Sequence, residues 1–253
     1  RFEHPSVLRE RHQPIAQKRV ARRAQPTANL QQQRHDWSFL DKAYLITCPD
    51  QDGANPRLDK CMPLLESVGL ADRVQVRSFA KDDADRIRGC YSSHIAVMEE
   101  AQASLQDRKD VNVLILEANL ALSPRFKPET LNAVRRFVTG DGATATERRD
   151  MAHLGYIMYV PGLSTEQTAD EHIVRLICTP DSVLGTSAYI VTRSGLDSVL
   201  AEHRRVGYVD AIPNVMARLF PDSRFAAYPM PVHRASAGKS LVDGRPDSLR
   251  GRR

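Results

Sequence analysis

The run Val111-Asn-Val-Leu-Ile-Leu-Glu117 most constrains what this chain can fold into. It is apolar almost throughout and stops abruptly in Glu117-Ala118-Asn119. A near-continuous apolar run of this length suits a strand with both faces covered, as in a parallel sheet sandwiched by helices. Its polar end then emerges at a sheet edge, where ligands of open α/β folds bind.

The surrounding pattern agrees. Lys42-Ala-Tyr-Leu-Ile-Thr47 reads as a short buried strand, followed by a polar loop over 48–57. Leu58, Cys61, Leu64, Leu65 and Val68 recur at helical spacing, with Gly69 as the stop. Val74 to Phe79 alternates as a strand does. A helix is expected over about 93–106 and another over Pro128–Val138, with an exposed loop over 141–152. Strands are expected at Tyr156–Val160, Ile173–Cys178 and Ser187–Thr192, with a polar connection over 161–171. A helix over Ser194–His203 would use Ser194 as its N-cap, and Val209–Leu219 reads as helical with a break near Pro213. Strands interleaved with crossover helices imply an α/β domain with a largely parallel sheet flanked by helices.

The net charge of +5 is not spread along the chain. The first 35 residues hold eight Lys and Arg against two acids, and the last thirteen hold four Arg against two Asp, which leaves the body at −3. A nucleic-acid-binding domain carries its positive charge on the folded surface, so this distribution argues against such a partner. The boundaries follow: 1–36 reads as a basic, disordered tail or stem, 37–240 as the α/β domain, and 241–253 as a second basic, flexible tail. Trp37 would pack where the domain begins. Cys48, Cys61, Cys90 and Cys178 lack the close spacing of a zinc site and read as buried thiols. A Cys61–Cys90 disulfide remains open if the chain lives in an oxidising lumen.

Several pieces together resemble glycosyltransferase family 25, the lipopolysaccharide and collagen galactosyltransferases. They are Tyr44-Leu-Ile with Arg57, Gly89-Cys90-Tyr-Ser-Ser93-His94, Leu114-Ile-Leu-Glu117, Gly185-Thr-Ser-Ala188-Tyr189 continuing to Gly195, and Val209-Asp210. Their order and spacing match over about 42–240. The resemblance implies a Rossmann-like, A-type glycosyltransferase fold. It implies a UDP-sugar donor, commonly UDP-galactose, with inverting transfer of a hexose to a protein or glycan hydroxyl. It also implies a divalent cation, Mn²⁺ or Mg²⁺, because the diphosphate leaving group concentrates negative charge.

Where the family has Glu-Asp-Asp, this chain has Glu117-Ala118-Asn119. Alanine has no ligand atom, and asparagine offers a neutral oxygen. Three outcomes stay open. Glu117 and Asn119 hold the metal weakly, the enzyme dispenses with metal and steadies phosphate with Arg57, or the domain is an inactive relative that binds a partner enzyme or glycan. Under the resemblance Asp210 is the catalytic base, Arg57, His94, Glu117 and Asn119 face the donor, and Tyr189 lies on the acceptor side. His94, expected at a helix start, would meet phosphate or sugar there; for Asp210 the competing reading is a helix N-cap. His233 and Ser240 fall near a weaker family match. The stem-like start at Arg1 sets the expectation of a Golgi or ER lumenal domain, linked to a membrane only through an anchor upstream; a bacterial cytoplasmic enzyme is the alternative.

Overall fold

The computed structural model describes residues 35–141, 148–158, 164–177 and 183–235. Residues 1–34 of the expected 1–36 tail, the whole of the 241–253 tail, Ser240 and Cys178 lie outside them. The elements run β1 (Lys42–Thr47), α1 (Pro56–Ser67), β2 (Val74–Ser78), α2 (Arg86–Ser104), β3 (Asn112–Glu117), β4 (Leu120–Leu122), α3 (Pro128–Thr139), β5 (Met151–Met158), β6 (Ser164–Gln167), β7 (Ile173–Ile177), β8 (Val183–Thr192), α4 (Arg193–Val206), α5 (Ile212–Leu219), β9 (Arg224–Ala227) and β10 (Val232–Arg234).

Eight strands form one sheet in the order β2-β1-β3-β8-β5-β9-β7-β6. β1 pairs in parallel with β2 and β3, and β5 in parallel with β9; the β3–β8, β5–β8, β7–β9 and β6–β7 pairings are antiparallel. Six of the eight strands therefore share one direction, with β8 and β7 reversed. The sheet is mostly parallel in sense and is flanked by helices.

Residue alternation explains why both faces are covered. Leu45, Leu114 and Leu116 join the core under α1 and α3, with Leu65, Leu131 and Phe137. Tyr44, Ile46, Val113 and Ile115 join the core under α2, α4 and α5, with Ile95, Met98, Leu196, Val199 and Val215. Each fully buried aliphatic side chain contributes roughly 1.5–3 kcal/mol, so β1 and β3 anchor both layers at once. Trp37 is buried and donates to the Val68 carbonyl at 2.9 Å. His35, assigned from sequence to the tail, packs against Phe126 with the rings tilted and their centroids 4.2 Å apart.

Some expectations need correction. α2 begins at Arg86, not 93, because Asp85 caps it by accepting from the Ile87 and Arg88 amides. The cap of α4 is Thr192, not Ser194. Ser194 instead donates to Asp150, which, with Met151 and Ala152, is buried rather than part of an exposed loop. The 161–171 connection contains β6, a fully exposed strand whose polar sequence carries no apolar alternation. Cys61 and Cys90 are both free thiols.

His153 on β5 is buried with neither ring nitrogen hydrogen-bonded among the described residues. Burial, and then the Arg224 charge, push its pKa well below the ordinary 6.5. The folded chain thus keeps His153 neutral where the unfolded chain protonates. Its contribution is fully present above pH 6.5 and declines as pH falls below that value, by about 1.4 kcal/mol per unit at most. Urea unfolding of wild type and His153→Leu at pH 7, 6 and 5 is expected to show their stability difference shifting steadily towards the variant. Parallel pH profiles would rule this out.

Candidate functional site

The ends of β1 and β3, the segment after β2, the starts of α2 and α5 and the first part of β8 enclose a cavity of about 490 Å³. It opens where the chain, having passed from β1 to β2 on one side, returns to β3 on the other. In open α/β sheets that switch point is where ligands sit. Arg57, His94, Glu117, Asn119 and Asp210 all line it.

Local chemistry sets each wall. Thr47, ending β1, donates to Asn55 Oδ1, and the same oxygen caps α1 by accepting from the Leu58 amide. Pro56 opens that helix, which suits its fixed φ, and Arg57 follows in the first turn. Gly89 lets α2 press against the segment after β2: a Cβ there would lie 2.8 Å from Asp82 Cβ. That segment brings Lys81 and Asp82 to the cavity. Gly185, at φ 125°, bends β8 in a conformation that disfavours other residues and leads into Thr186 and Ser187 on the wall.

Glu117 is the hub. Its Oε1 accepts from Thr186 Oγ1 at 2.8 Å and lies 3.5 Å from His94 Nε2; its Oε2 lies 3.4 Å from Asn119 Nδ2. Burial pushes this carboxyl up, but the hydrogen bonds and charge of His94, Thr186 and Arg234 outweigh it and hold the group below the usual carboxylate range. His94 Nδ1 lies 2.9 Å from the Tyr189 hydroxyl.

Two expectations change here. His94 stands in the third turn of α2, away from the helix start, so the positive helix end does not explain its place. Tyr189 is fully buried behind His94 and is not among the residues lining the cavity. Burial first, and then the Glu117 and Cys90 charges, push its phenol well above the ordinary value.

Asp210 reaches the cavity just before α5, whose cap residue is Ala211. Its Oδ1 accepts from the Ala211 amide at 2.7 Å and Asn214 Nδ2 at 3.0 Å, and its Oδ2 from Arg218 at 2.7 Å. Burial raises its pKa, but the Arg218, Asn214 and Ala211 bonds outweigh this and leave it lowered. Asp82 is held at about 2, chiefly by Arg88. All three acids lining the cavity thus have protein partners, beside the basic Arg57, Lys81, Arg86 and Arg234.

Sequence reasoning overlooked Arg234, Lys81 and Arg86. His233, singled out instead, is exposed on β10; its neighbour Arg234 faces the cavity. β10 pairs with β4, and strands of three residues give too little alternation to read.

The residues do not fit a hard cation held by paired carboxylates. Such cations need several anionic or carbonyl oxygens. Ala118 supplies none and is buried, and Asn119 offers one neutral oxygen, so Glu117 is left as a single carboxylate where paired acids are needed.

No protein-family model matches the chain, and no curated protein matches it closely enough to count as a relative. Among solved structures it is similar to a glycosyltransferase involved in the glycosylation of the major capsid of PBCV-1, at 10% identity and TM-score 0.42, covering 83% of this chain and 98% of that one. A UDP-glucose pyrophosphorylase complexed with UDP-glucose is similar at 8% and 0.39, covering 74% and 72%. A 4-diphosphocytidyl-2C-methyl-D-erythritol synthase from Anaerococcus prevotii DSM 20548 is similar at 9% and 0.39, covering 77% and 90%. Likeness this distant carries no argument about what this chain does.

Proposed function

We propose that this domain is a glycosyltransferase of the family-25 type that binds a UDP-hexose in the cavity and transfers the hexose, galactose first among candidates, to a protein or glycan hydroxyl with inversion. The supporting observation is the meeting of Arg57, His94, Glu117, Asn119 and Asp210, drawn from four separate segments, in one cavity at the strand switch point. In this reading the cavity's basic residues carry the diphosphate. Arg57 and Arg234 supply charge-assisted hydrogen bonds to its oxygens, with Lys81 and Arg86 adding positive potential. Glu117, fixed by Thr186 and His94, accepts from donor hydroxyls.

The transfer forms a bond from the acceptor oxygen to C1 of the hexose. The C1–phosphate oxygen bond breaks, UDP leaves with the electron pair, and the acceptor proton passes to the Asp210 carboxylate. Asp210 is ionised at neutral pH, as a base must be, although its lowered pKa makes it a weak one. Asp210→Asn is expected to lower kcat with UDP-hexose by about 10²–10⁴-fold while leaving KM for the donor nearly unchanged. An unaltered kcat would remove Asp210 from the reaction.

A second reading, a non-catalytic domain that binds a partner enzyme or glycan, draws on one observation. Both Asp210 oxygens are committed to Ala211, Asn214 and Arg218, which suits an anchor for α5 as well as a base.

A further inference from the structure

We propose that Cys90, His94 and Glu117 form a binding site for a divalent cation of borderline softness, with Zn²⁺ as the type, in the wall of the cavity. The site rests on its own geometry, not on the glycosyltransferase reading. Cys90 and His94 stand four residues apart on α2 and so share a face, and Glu117 meets them from the end of β3. One ligand atom from each lies within 4.8 Å of the other two.

The separations suit zinc. Nitrogen and oxygen ligands about 2.0–2.1 Å from a tetrahedral Zn²⁺ lie roughly 3.3–3.4 Å from each other; His94 Nε2 and Glu117 Oε1 are 3.5 Å apart. A thiolate on the same ion lies roughly 3.6 Å from either, given a Zn–S bond of about 2.3 Å. Cys90 closes the remaining gap by a side-chain movement on the order of 1 Å.

Outer partners are in place as well. A zinc-bound histidine is normally oriented through its other nitrogen, and His94 Nδ1 faces the Tyr189 hydroxyl at 2.9 Å. Thr186 Oγ1 donates to the Glu117 carboxylate at 2.8 Å. Beside that carboxylate, Asn119 Oδ1 is buried without a hydrogen-bond partner among the described residues. Thiolate and imidazole favour Zn²⁺ over Mn²⁺ or Mg²⁺, which explains how this site differs from one built of paired acids. Cys90, His94 and Glu117 all line the cavity, so the fourth position opens into it, as where three protein ligands leave room for water or substrate. An anionic oxygen, such as that of a nucleotide phosphate, is the ligand class that fills it.

The test uses the untagged full chain freed of metal. Calorimetry with Zn²⁺ and with Mn²⁺ is expected to give one Zn²⁺ per chain, bound on the order of 100-fold more tightly than Mn²⁺. Co²⁺ in place of Zn²⁺ is expected to produce a thiolate-to-metal absorption band. Cys90→Ser and Cys90→Ala should abolish the band and weaken Zn²⁺ on the order of 100-fold, and Glu117→Gln should weaken Zn²⁺ while keeping the band. Cys48→Ser, at a second thiol lining the cavity, should change neither. Thermal melts without metal establish that each variant is folded, and added Zn²⁺ should raise the Tm of wild type but not of Cys90→Ser. A Co²⁺ band that survives Cys90→Ser, or Zn²⁺ bound no more tightly than Mn²⁺, overturns the site. UDP binding is titrated separately. UDP bound without a zinc site would sink this inference and leave the donor reading standing; zinc bound without UDP would do the reverse.

Discussion

Replacing both Arg57 and Arg234 by alanine is expected to weaken UDP binding by about a thousandfold. Each guanidinium offers planar, paired donors matched to phosphate, and a hydrogen bond to a charged group is worth roughly 1.5–3 kcal/mol. Two such losses are roughly 3–6 kcal/mol, which at about 1.4 kcal/mol per decade centres on three decades. Both residues line the cavity, Arg57 from α1 and Arg234 from β10, and the Arg234 charge already acts on Glu117. Calorimetry on the double variant measures the effect. Arg205→Ala, on α4 and paired with Glu202, should leave UDP affinity unchanged. A double variant that binds UDP as well as wild type would show that the diphosphate is held elsewhere.

Asp150→Ala should lower stability by about 2–4 kcal/mol, roughly 1.5–3 from the hydrogen bond of the buried Ser223 and less from the exposed Ser194 and Arg148. Asp150 is 0% exposed. Its Oδ1 accepts from Ser194 Oγ at 2.7 Å, and its Oδ2 from Ser223 Oγ and from Arg148 Nε, the latter at 2.6 Å. Its carbonyl accepts from the Thr192 amide at 3.1 Å. One side chain thereby ties the start of β5 to the start of α4 and to the residue before β9. The packing around it is close: a Cβ at Gly195 would lie 2.2 Å from the Asp150 carbonyl oxygen. The alanine variant leaves the buried Ser223 hydroxyl without its acceptor and releases the exposed Ser194, whereas Asp150→Asn keeps an acceptor and should lose less. Urea midpoints of the three proteins give the comparison. A loss below about 1 kcal/mol, the range of an exposed ion pair, would mean that the network does not hold these elements together.

The apolar strands and amphipathic helices could be read from sequence because their signals are local. β1 and β3 bury alternate residues in two different cores, and their sequences are apolar at nearly every position. β6 could not be read, because a fully exposed strand owes its pairing to β7 rather than to its own pattern. The start of α2 was masked because Arg86-Ile-Arg-Gly-Cys holds few buried apolar residues; the Asp85 cap was its local signal. For the cavity, the strand-end motif located Glu117 and Asn119, and the motif around Cys90 located His94. That Cys90 meets Glu117 depends on how α2 packs against β3, and that Arg234 faces the cavity depends on β10 pairing with β4. Neither leaves a trace in residue spacing. Tyr189 shows the converse: its place in the motif is right, but its hydroxyl turns inward to His94.

The central claim is that the cavity beside Glu117 grips a nucleoside diphosphate through fixed cationic side chains. Titration of UDP into the metal-free full chain, followed by calorimetry, tests it most directly. The account predicts saturable binding at one site without added Mn²⁺, weakening as salt is raised. Absence of UDP binding both without metal and with Mn²⁺ or Zn²⁺ supplied would contradict it.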